Sequence, residues 1–247
     1  MTQAHAPNRF VIVGLPRSGT TYLQTMLNAH PGVFCRGESF DAWQIDDAGH
    51  KTTDAAALLA RDSDPGAFLD DRLALRDGPH GPLEAVGIKI LFQHNPALFS
   101  HLIADRPDIG VILVWRANKL AQFASERHAK LHKEWTRTTK GAPYPPLDLN
   151  LRWIIEETQA LQTRDHLLQL WLKSLPNPTL HVEYRALFDP GWPGRVCRFL
   201  GVAPTADLAS PLVKQGANTV LNRYANANEI AEYFTATGRQ DWLGAEL

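Results

Sequence analysis

Five short apolar runs are spaced along the chain, and the segments between them carry apolar residues at helical intervals. Phe10-Val11-Ile12-Val13, Ala85 to Phe92 and Ile109 to Trp115 are near-continuous apolar runs, the pattern of buried strands, and Val33-Phe34-Cys35 and Thr179 to Tyr184 read as two further short strands. After the first run, Leu23, Met26 and Leu27 fall on one stripe of a helix, which His30-Pro31-Gly32 stops. Asp41 to Arg76 is mostly helical in pattern. It has an alanine-rich piece after Asp54 and a second piece opened by Asp64-Pro65 as N-cap and first helical residue. Asn95-Pro96 opens a helix to about Ala104, Asn118 one to about Trp135, and Asp148 a long one to about Leu175. Short helices are expected over Val196–Leu200 and from about Asn228 to Phe234. Loops are expected over 77–82 and 136–147, where Gly and Pro collect. Strands alternating with helices predict an α/β fold: one three-layer α/β/α domain over 1–247, around a parallel sheet of about five strands.

Composition narrows the class. With 247 residues, 44% apolar and 21% charged, the chain has the make-up of a globule with one large core. A net charge of −1 argues against a nucleic-acid binder, which needs a basic surplus. No apolar run approaches the roughly 20 residues of a membrane span. The first strand begins near Phe10, which leaves no room for a signal peptide, and Cys35 and Cys197 lack metal-ligand spacing. Reduced cysteines, a cytoplasmic location and no bound metal are the resulting expectations.

The chemistry concentrates where the first strand ends. Gly14-Leu15-Pro16-Arg17-Ser18-Gly19-Thr20-Thr21 runs from that strand straight into a helix. A strand, a glycine-bounded turn and a helix start aim backbone N–H groups and the positive end of the helix dipole at one point, which makes an anion site. The spacing nearly matches the nucleoside-triphosphate loop G-x-x-x-x-G-K-[ST], but Thr20 stands where that loop has lysine. The cation within the loop is Arg17. A second cation, Arg116, ends the fourth apolar run, where triphosphate hydrolases place a magnesium-binding Asp. An arginine there repels a metal ion and attracts an anion.

Pro16-Arg17-Ser18-Gly19-Thr20-Thr21 resembles the 5′-phosphosulfate loop of sulfotransferases that use 3′-phosphoadenosine 5′-phosphosulfate (PAPS). Arg36-Gly37-Glu38-Ser39-Phe40 resembles the bacterial carbohydrate branch of that family, which includes the trehalose and nodulation-factor enzymes. The resemblance extends more weakly over nearly the whole chain. It implies that Arg17, Ser18, Gly19, Thr20 and Thr21 hold the 5′-phosphosulfate. Arg116-Ala117-Asn118 followed by Gln122 and Ser125 is similar to the family's 3′-phosphate motif, which assigns Arg116 and Ser125 to that group, although relatives carry a second arginine where Ala117 stands. Leu212-Val213-Lys214-Gln215-Gly216 is similar to a segment that closes over the nucleotide, with Lys214 as a phosphate contact.

Transfer to a hydroxyl needs a base. Glu38 follows the second strand, at the carboxyl edge of the sheet where ligands bind in open α/β folds, and matches the glutamate proposed as base in the carbohydrate branch. A surface pair with Arg36 is the plainer reading of the same residue. His94 is the rival, since aryl and steroid sulfotransferases use a lysine followed closely by a histidine, but its spacing from Lys89 is wrong. Lys89 lies inside an apolar strand, where a lone ammonium needs a ligand or a carboxylate or else snorkels to the strand end. Arg36, His128, Trp135 and Tyr144 are candidates for the acceptor pocket by neighbourhood. The expected partners are a carbohydrate or other small-molecule acceptor, with a lipid or secondary-metabolite hydroxyl also open, and a homodimer through a helix such as Asp148 to Leu175 unless that helix only covers the sheet. A kinase with a degenerate loop and a non-catalytic nucleotide-binding protein are the competing functions.

Overall fold

The computed structural model describes residues 6–47, 49–78, 81–205 and 208–247. Its centre is a sheet of β1 (Arg9–Gly14), β2 (Val33–Arg36), β3 (Ala85–Leu91), β4 (Ile109–Trp115) and β5 (Thr179–Glu183), in the order β2-β3-β1-β4-β5. Every neighbouring pair is parallel. The chain lays β2 and β3 on one side of β1 and then crosses to build β4 and β5 on the other. A reversal of this kind opens a crevice at the carboxyl ends of the strands. Register levels those ends, since Gly14 lies opposite both Leu91 and Val114.

The period-2 alternation of strand side chains sorts the apolar residues into two cores. Val11, Val13, Ile88, Ile90, Val111 and Leu113 face α4 (Lys119–His132) and α5 (Leu151–Ser174). Phe10, Ile12, Ile112, Val114 and Val182 face α1 (Thr20–Leu27) and α6 (Trp192–Leu200). Each fully buried aliphatic side chain contributes about 1.5–3 kcal/mol, so this sandwich rigidly fixes the carboxyl edge that carries the chemistry. The three-layer α/β/α architecture is the one the apolar pattern predicts.

Several boundaries differ from that pattern. Between Asp41 and the helices α2 (Ala55–Ser63) and α3 (Pro65–Arg72) lies a hairpin of Ile45–Asp47 with His50–Thr52. Gly49, at φ 91, and the Asp46 carboxylate that accepts its N–H supply the turn that interrupts the expected helix. Asp54 and Asp64 cap α2 and α3 as read, accepting from Ala57 N and Ala67 N. After Asn95-Pro96 there is only one wide helical turn, Leu98–Leu102, because the chain must reach β4 at Ile109. α5 starts at Leu151 rather than Asp148, since Asn150 is its cap. Residues 77–78 and 81–82 form a small ribbon instead of a plain loop, and positions 79 and 80 of that expected loop lie outside the described residues. α7 (Ala227–Ala236) matches the helix expected near the end. Among the described residues no helix is long and apolar enough to cross a membrane.

Candidate active site

The loop after β1 is shaped by two close approaches. A Cβ on Gly14 would lie 2.5 Å from the Val114 carbonyl and 2.6 Å from Ser18 Oγ, so only glycine fits there. Gly19, at φ 105, begins α1, and Arg17, at φ 62, is also left-handed, a conformation rare for a residue with a side chain. The two bends curl the backbone around a point in front of the helix, in the manner of an anion-binding nest. No side chain caps the α1 N-terminus among the described residues, and the wholly buried Ser18 Oγ has no hydrogen-bond partner there. Orphaned donors of this kind, at the positive end of a helix, fit a multiply charged oxyanion.

The two cations expected to flank this loop form one connected group. Arg116 is buried at the end of β4, donates through Nη1 to the Arg17 carbonyl at 2.9 Å, and lies 4.3 Å over the Tyr184 ring. Arg17 reaches the other way along the cavity. Its guanidinium donates to Ser125 Oγ at 2.9 Å, to Gln215 Oε1 at 2.6 Å and to the Trp135 carbonyl. Burial, and then the nearby Arg116, pull its pKa down to about 10. The loop is tied to α4 as well, because Gln122 donates to the Pro16 carbonyl at 2.8 Å. Lys214 and Arg223 complete the cationic end of the cavity. Arg223 reaches the cavity from the last segment of the chain and donates to the Ala121 carbonyl of α4 at 3.1 Å.

At the other end lie Glu38 and Lys89. Lys89 alternates with Ile88 and Ile90 and so emerges on the α1 face of the sheet, buried, with Nζ 2.9 Å from Thr21 Oγ1 and 3.0 Å from Glu38 Oε1. It therefore bridges the loop and the carboxylate rather than snorkelling to bulk water. Burial alone would raise the Glu38 carboxyl, but the contacts from His94 and Lys89 outweigh it and hold it at about 2. His94 Nε2 lies 3.6 Å from Glu38 Oε2, while its Nδ1 accepts the Leu91 N–H at 3.1 Å. That second bond assigns the proton of the neutral ring to Nε2, facing Glu38. His94 thus stands behind the carboxylate and has no free lone pair to offer a substrate. Arg36 does not pair with Glu38. It pairs with Asp47 and donates to the Arg72 carbonyl.

All these groups surround one cavity of about 790 Å³, within the size range of small-ligand sites. Arg17, Gly19, Thr20, Thr21, Glu38, Lys89, Arg116, Ser125 and Lys214 line it, whereas Ser18 and His94 stand behind its wall. Near Glu38 the lining is polar, with Asp41, Gln44, Asp46 and Gln93. The Glu38 and Asp41 carboxylates and the His94 ring lie within 4.8 Å of one another, and the Lys89 ammonium already supplies positive charge at that spot. Of the acceptor-pocket candidates, Trp135, His128 and Tyr144 line the cavity and Arg36 does not. Tyr144 stacks on His132 and His128 at centroid distances of 4.2 and 4.9 Å. Burial, His132 and Arg223 push His128 down to about 4, which leaves its ring neutral.

Sequence reasoning did not find Arg223, Glu246, or the aromatic pair Tyr22 and Phe188, whose rings lie 4.8 Å apart on the cavity wall beside the loop. Tyr22 was legible in principle as the residue after Thr21. Arg223 and Glu246 carry no local pattern and enter the site only through the fold of the last segment.

Residues 8–85 match a family model described as the sulfotransferase family. The chain is 34% identical over 150 residues to Nodulation protein H of Rhizobium meliloti strain 1021, a stretch covering 58% of this chain and 57% of that protein. It is 29% identical over 144 residues to Nodulation protein H of Rhizobium tropici, covering 57% and 54% respectively. The chain therefore spans somewhat under 60% of the curated relatives it matches. A crystal structure of a sulfotransferase from Alicyclobacillus acidocaldarius superposes with a TM-score of 0.51 at 18% identity, covering 96% of this chain and 95% of that one, which is a likeness of fold.

Proposed function

We propose that this chain, whose residues 8–85 match the sulfotransferase family model, moves a sulfuryl group from PAPS to a hydroxyl of a carbohydrate or another small polar acceptor. The observation that carries the reading is the continuous run of cations in one cavity, from the α1 N-terminus through Arg17 to Arg116, Lys214 and Arg223. A nucleotide with phosphates at both ends of its ribose asks for that layout, and Arg116 stands where a magnesium-dependent enzyme would place a carboxylate.

When bound, the donor supplies the sulfuryl group and leaves as adenosine 3′,5′-bisphosphate with the electron pair of the broken bond. The N–H groups at the start of α1, with Thr20 and Thr21, hold the 5′-phosphosulfate, and Ser18 supports the loop from behind. Arg116 and Ser125 hold the 3′-phosphate, with Lys214 beside them. Tyr22 and Phe188 offer aromatic faces to the purine. Glu38, ionised and 3.0 Å from Lys89, accepts the proton of the attacking hydroxyl. A carboxylate this acidic serves because in a loose transition state the proton leaves late. Lys89, between Thr21 and Glu38, stabilises charge that develops on the leaving oxygen and frees Glu38 to act as base. His94 orients the carboxylate. The polar lining near Glu38 supports a polyhydroxylated acceptor. The whole of 1–247 serves as one domain, in the cytoplasm.

Thermal shift with adenosine 3′,5′-bisphosphate and with ATP, each with and without magnesium, tests the donor site. The expected result is stabilisation by the bisphosphate, independent of magnesium. A shift that needs magnesium and ATP would make the chain a kinase. Sulfate transfer from PAPS to a panel of sugars then tests the enzyme, and bisphosphate binding with no transfer to any acceptor would leave a nucleotide-binding protein.

A further inference from the structure

We infer that Glu246 is a positioning residue of the nucleotide site: from behind Arg116, Arg223 and Lys214, its carboxylate holds the three cations as one wall against the donor's 3′-phosphate. The inference rests on the PAPS reading above.

Backbone pairing fixes where Glu246 sits. Val220 N donates to the Gly244 carbonyl at 2.9 Å, Glu246 N to the Asn218 carbonyl at 3.1 Å, and Leu247 N to Asn218 Oδ1 at 3.1 Å. On that ladder the carboxylate turns inward and is 1% exposed. Oε1 accepts from Arg116 Nε at 2.6 Å and from Arg116 Nη2, while Oε2 accepts from Arg223 Nη2 at 2.6 Å and lies 3.3 Å from Lys214 Nζ. Arg223 is held further by the Ala217 and Ala121 carbonyls, at 2.8 and 3.1 Å, and Lys214 by Asn218 Oδ1 at 2.6 Å.

The arrangement has a direction. Arg116, Arg223 and Lys214 line the cavity, and Glu246 does not. The cations therefore stand between the carboxylate and the ligand space, each with N–H groups that the protein has not used. A carboxylate occupying the phosphate's place would itself face the cavity.

Charge supports the same reading. Three cations against one carboxylate leave a surplus of two positive charges, matching a phosphate monoester of about −1.5 to −2 at neutral pH. Without Glu246, three like charges would face each other across a buried space, and their side chains would relax toward water or, for Lys214, lose the proton. A glutamine there would also turn amide N–H groups toward guanidinium N–H groups. Removing the negative charge is therefore expected to loosen the wall rather than strengthen its hold on an anion.

The test is titration calorimetry of Glu246→Gln with adenosine 3′,5′-bisphosphate and adenosine 5′-monophosphate, beside wild type. The affinity ratio between the two ligands should fall about tenfold, through weaker bisphosphate binding, as loss of a charge-assisted hydrogen-bond set implies, and Glu246→Asp should restore part of it. Equal weakening of both ligands would mean a merely structural residue and overturn the inference. A higher ratio would mean a displaceable plug and overturn it too. Should the glutamine variant not fold, a wild-type structure with the bisphosphate decides. Glu246 keeping its contacts to Arg116 and Arg223, with the phosphate on their opposite side, supports the inference, and a displaced carboxylate overturns it. If wild type binds no bisphosphate, the donor reading falls and takes this inference with it. An unchanged ratio in a protein that does bind removes this inference alone.

Discussion

The two ends of the cavity are built on opposite electrostatic plans. At the proposed nucleotide end, Arg17, Arg116, Lys214 and Arg223 outnumber the carboxylates of Glu126, which lines the cavity, and Glu246, which stands behind the wall. At the acceptor end, Glu38 and Lys89 are matched one to one, 3.0 Å apart, and His94 completes the pair from behind. An end with surplus charge is suited to gripping an anion. A matched pair is suited to shuttling a proton, since neither member gains much until a substrate disturbs it. Lys89 touches Thr21 of the loop after β1 as well, so on the proposed reading it links binding to chemistry.

The sharpest way to break this division is Glu38→Gln. Sulfate transfer at saturating donor and acceptor should fall by about 10²–10⁴-fold, the range for general-base loss, while calorimetry should find bisphosphate binding within about twofold of wild type. Loss of both together would show that the two ends are not separable. Arg116→Met attacks the other end. It leaves the Glu246 carboxylate buried with fewer partners, so denaturant unfolding should report a loss of about 3–5 kcal/mol along with weaker bisphosphate binding. A variant as stable as wild type would mean that the pair with Glu246 carries little.

Gly19→Ala is a milder test of the loop. Its φ of 105 and the contacts of 2.9 Å that a Cβ would make with Leu187 and Tyr184 predict a loss of about 1–2 kcal/mol in chemical denaturation, with weaker bisphosphate binding. Acid titration separates the two carboxylates. Glu38 and Glu246 both have folded pKa values depressed to about 2 from the ordinary 4.5. Their contribution to stability is therefore complete above about pH 4.5 and is lost as pH falls from there toward 2. Each glutamine variant should flatten that part of the melting-temperature profile, and an unchanged slope would remove the carboxylate concerned from the account.

The smallest effect concerns Lys214. Burial lowers its pKa first and most, to about 8, against the opposing pull of Glu246 and with Arg223 and Arg116 adding to the depression. On the proposed reading the ammonium form faces the 3′-phosphate, so affinity for the bisphosphate should weaken several-fold as pH rises through 8. Lys214→Arg, charged throughout, should abolish that dependence in a calorimetric pH series.

The three central strands are readable because they are buried on both faces, and a core of that kind writes itself as near-continuous apolar runs, whereas the edge strands Val33–Arg36 and Thr179–Glu183 alternate buried with more exposed positions. Asp54 and Asp64 were readable as caps because capping is a contact between residues three apart in sequence. The hairpin at 45–52 was missed because a single glycine and one Asp side chain decide it against a helical background. In the site, Arg17, Glu38, Lys89 and Arg116 announced themselves as charged residues at strand ends or within apolar runs. Whether Lys89 would snorkel or bridge was undecided until α1 brought Thr21 to its ammonium.

By itself the sequence determined the parallel α/β layering, the glycine-bounded loop and the absence of the lysine that a triphosphate loop carries, since each is a matter of neighbours along the chain. Tertiary structure alone decided that Arg17 reaches Ser125, 108 positions away, and that Glu246 stands behind Arg116 at a separation of 130. The reason is physical: apolar burial and local capping depend on near neighbours, whereas a charged side chain takes whichever partner the finished fold brings within a few ångströms of it.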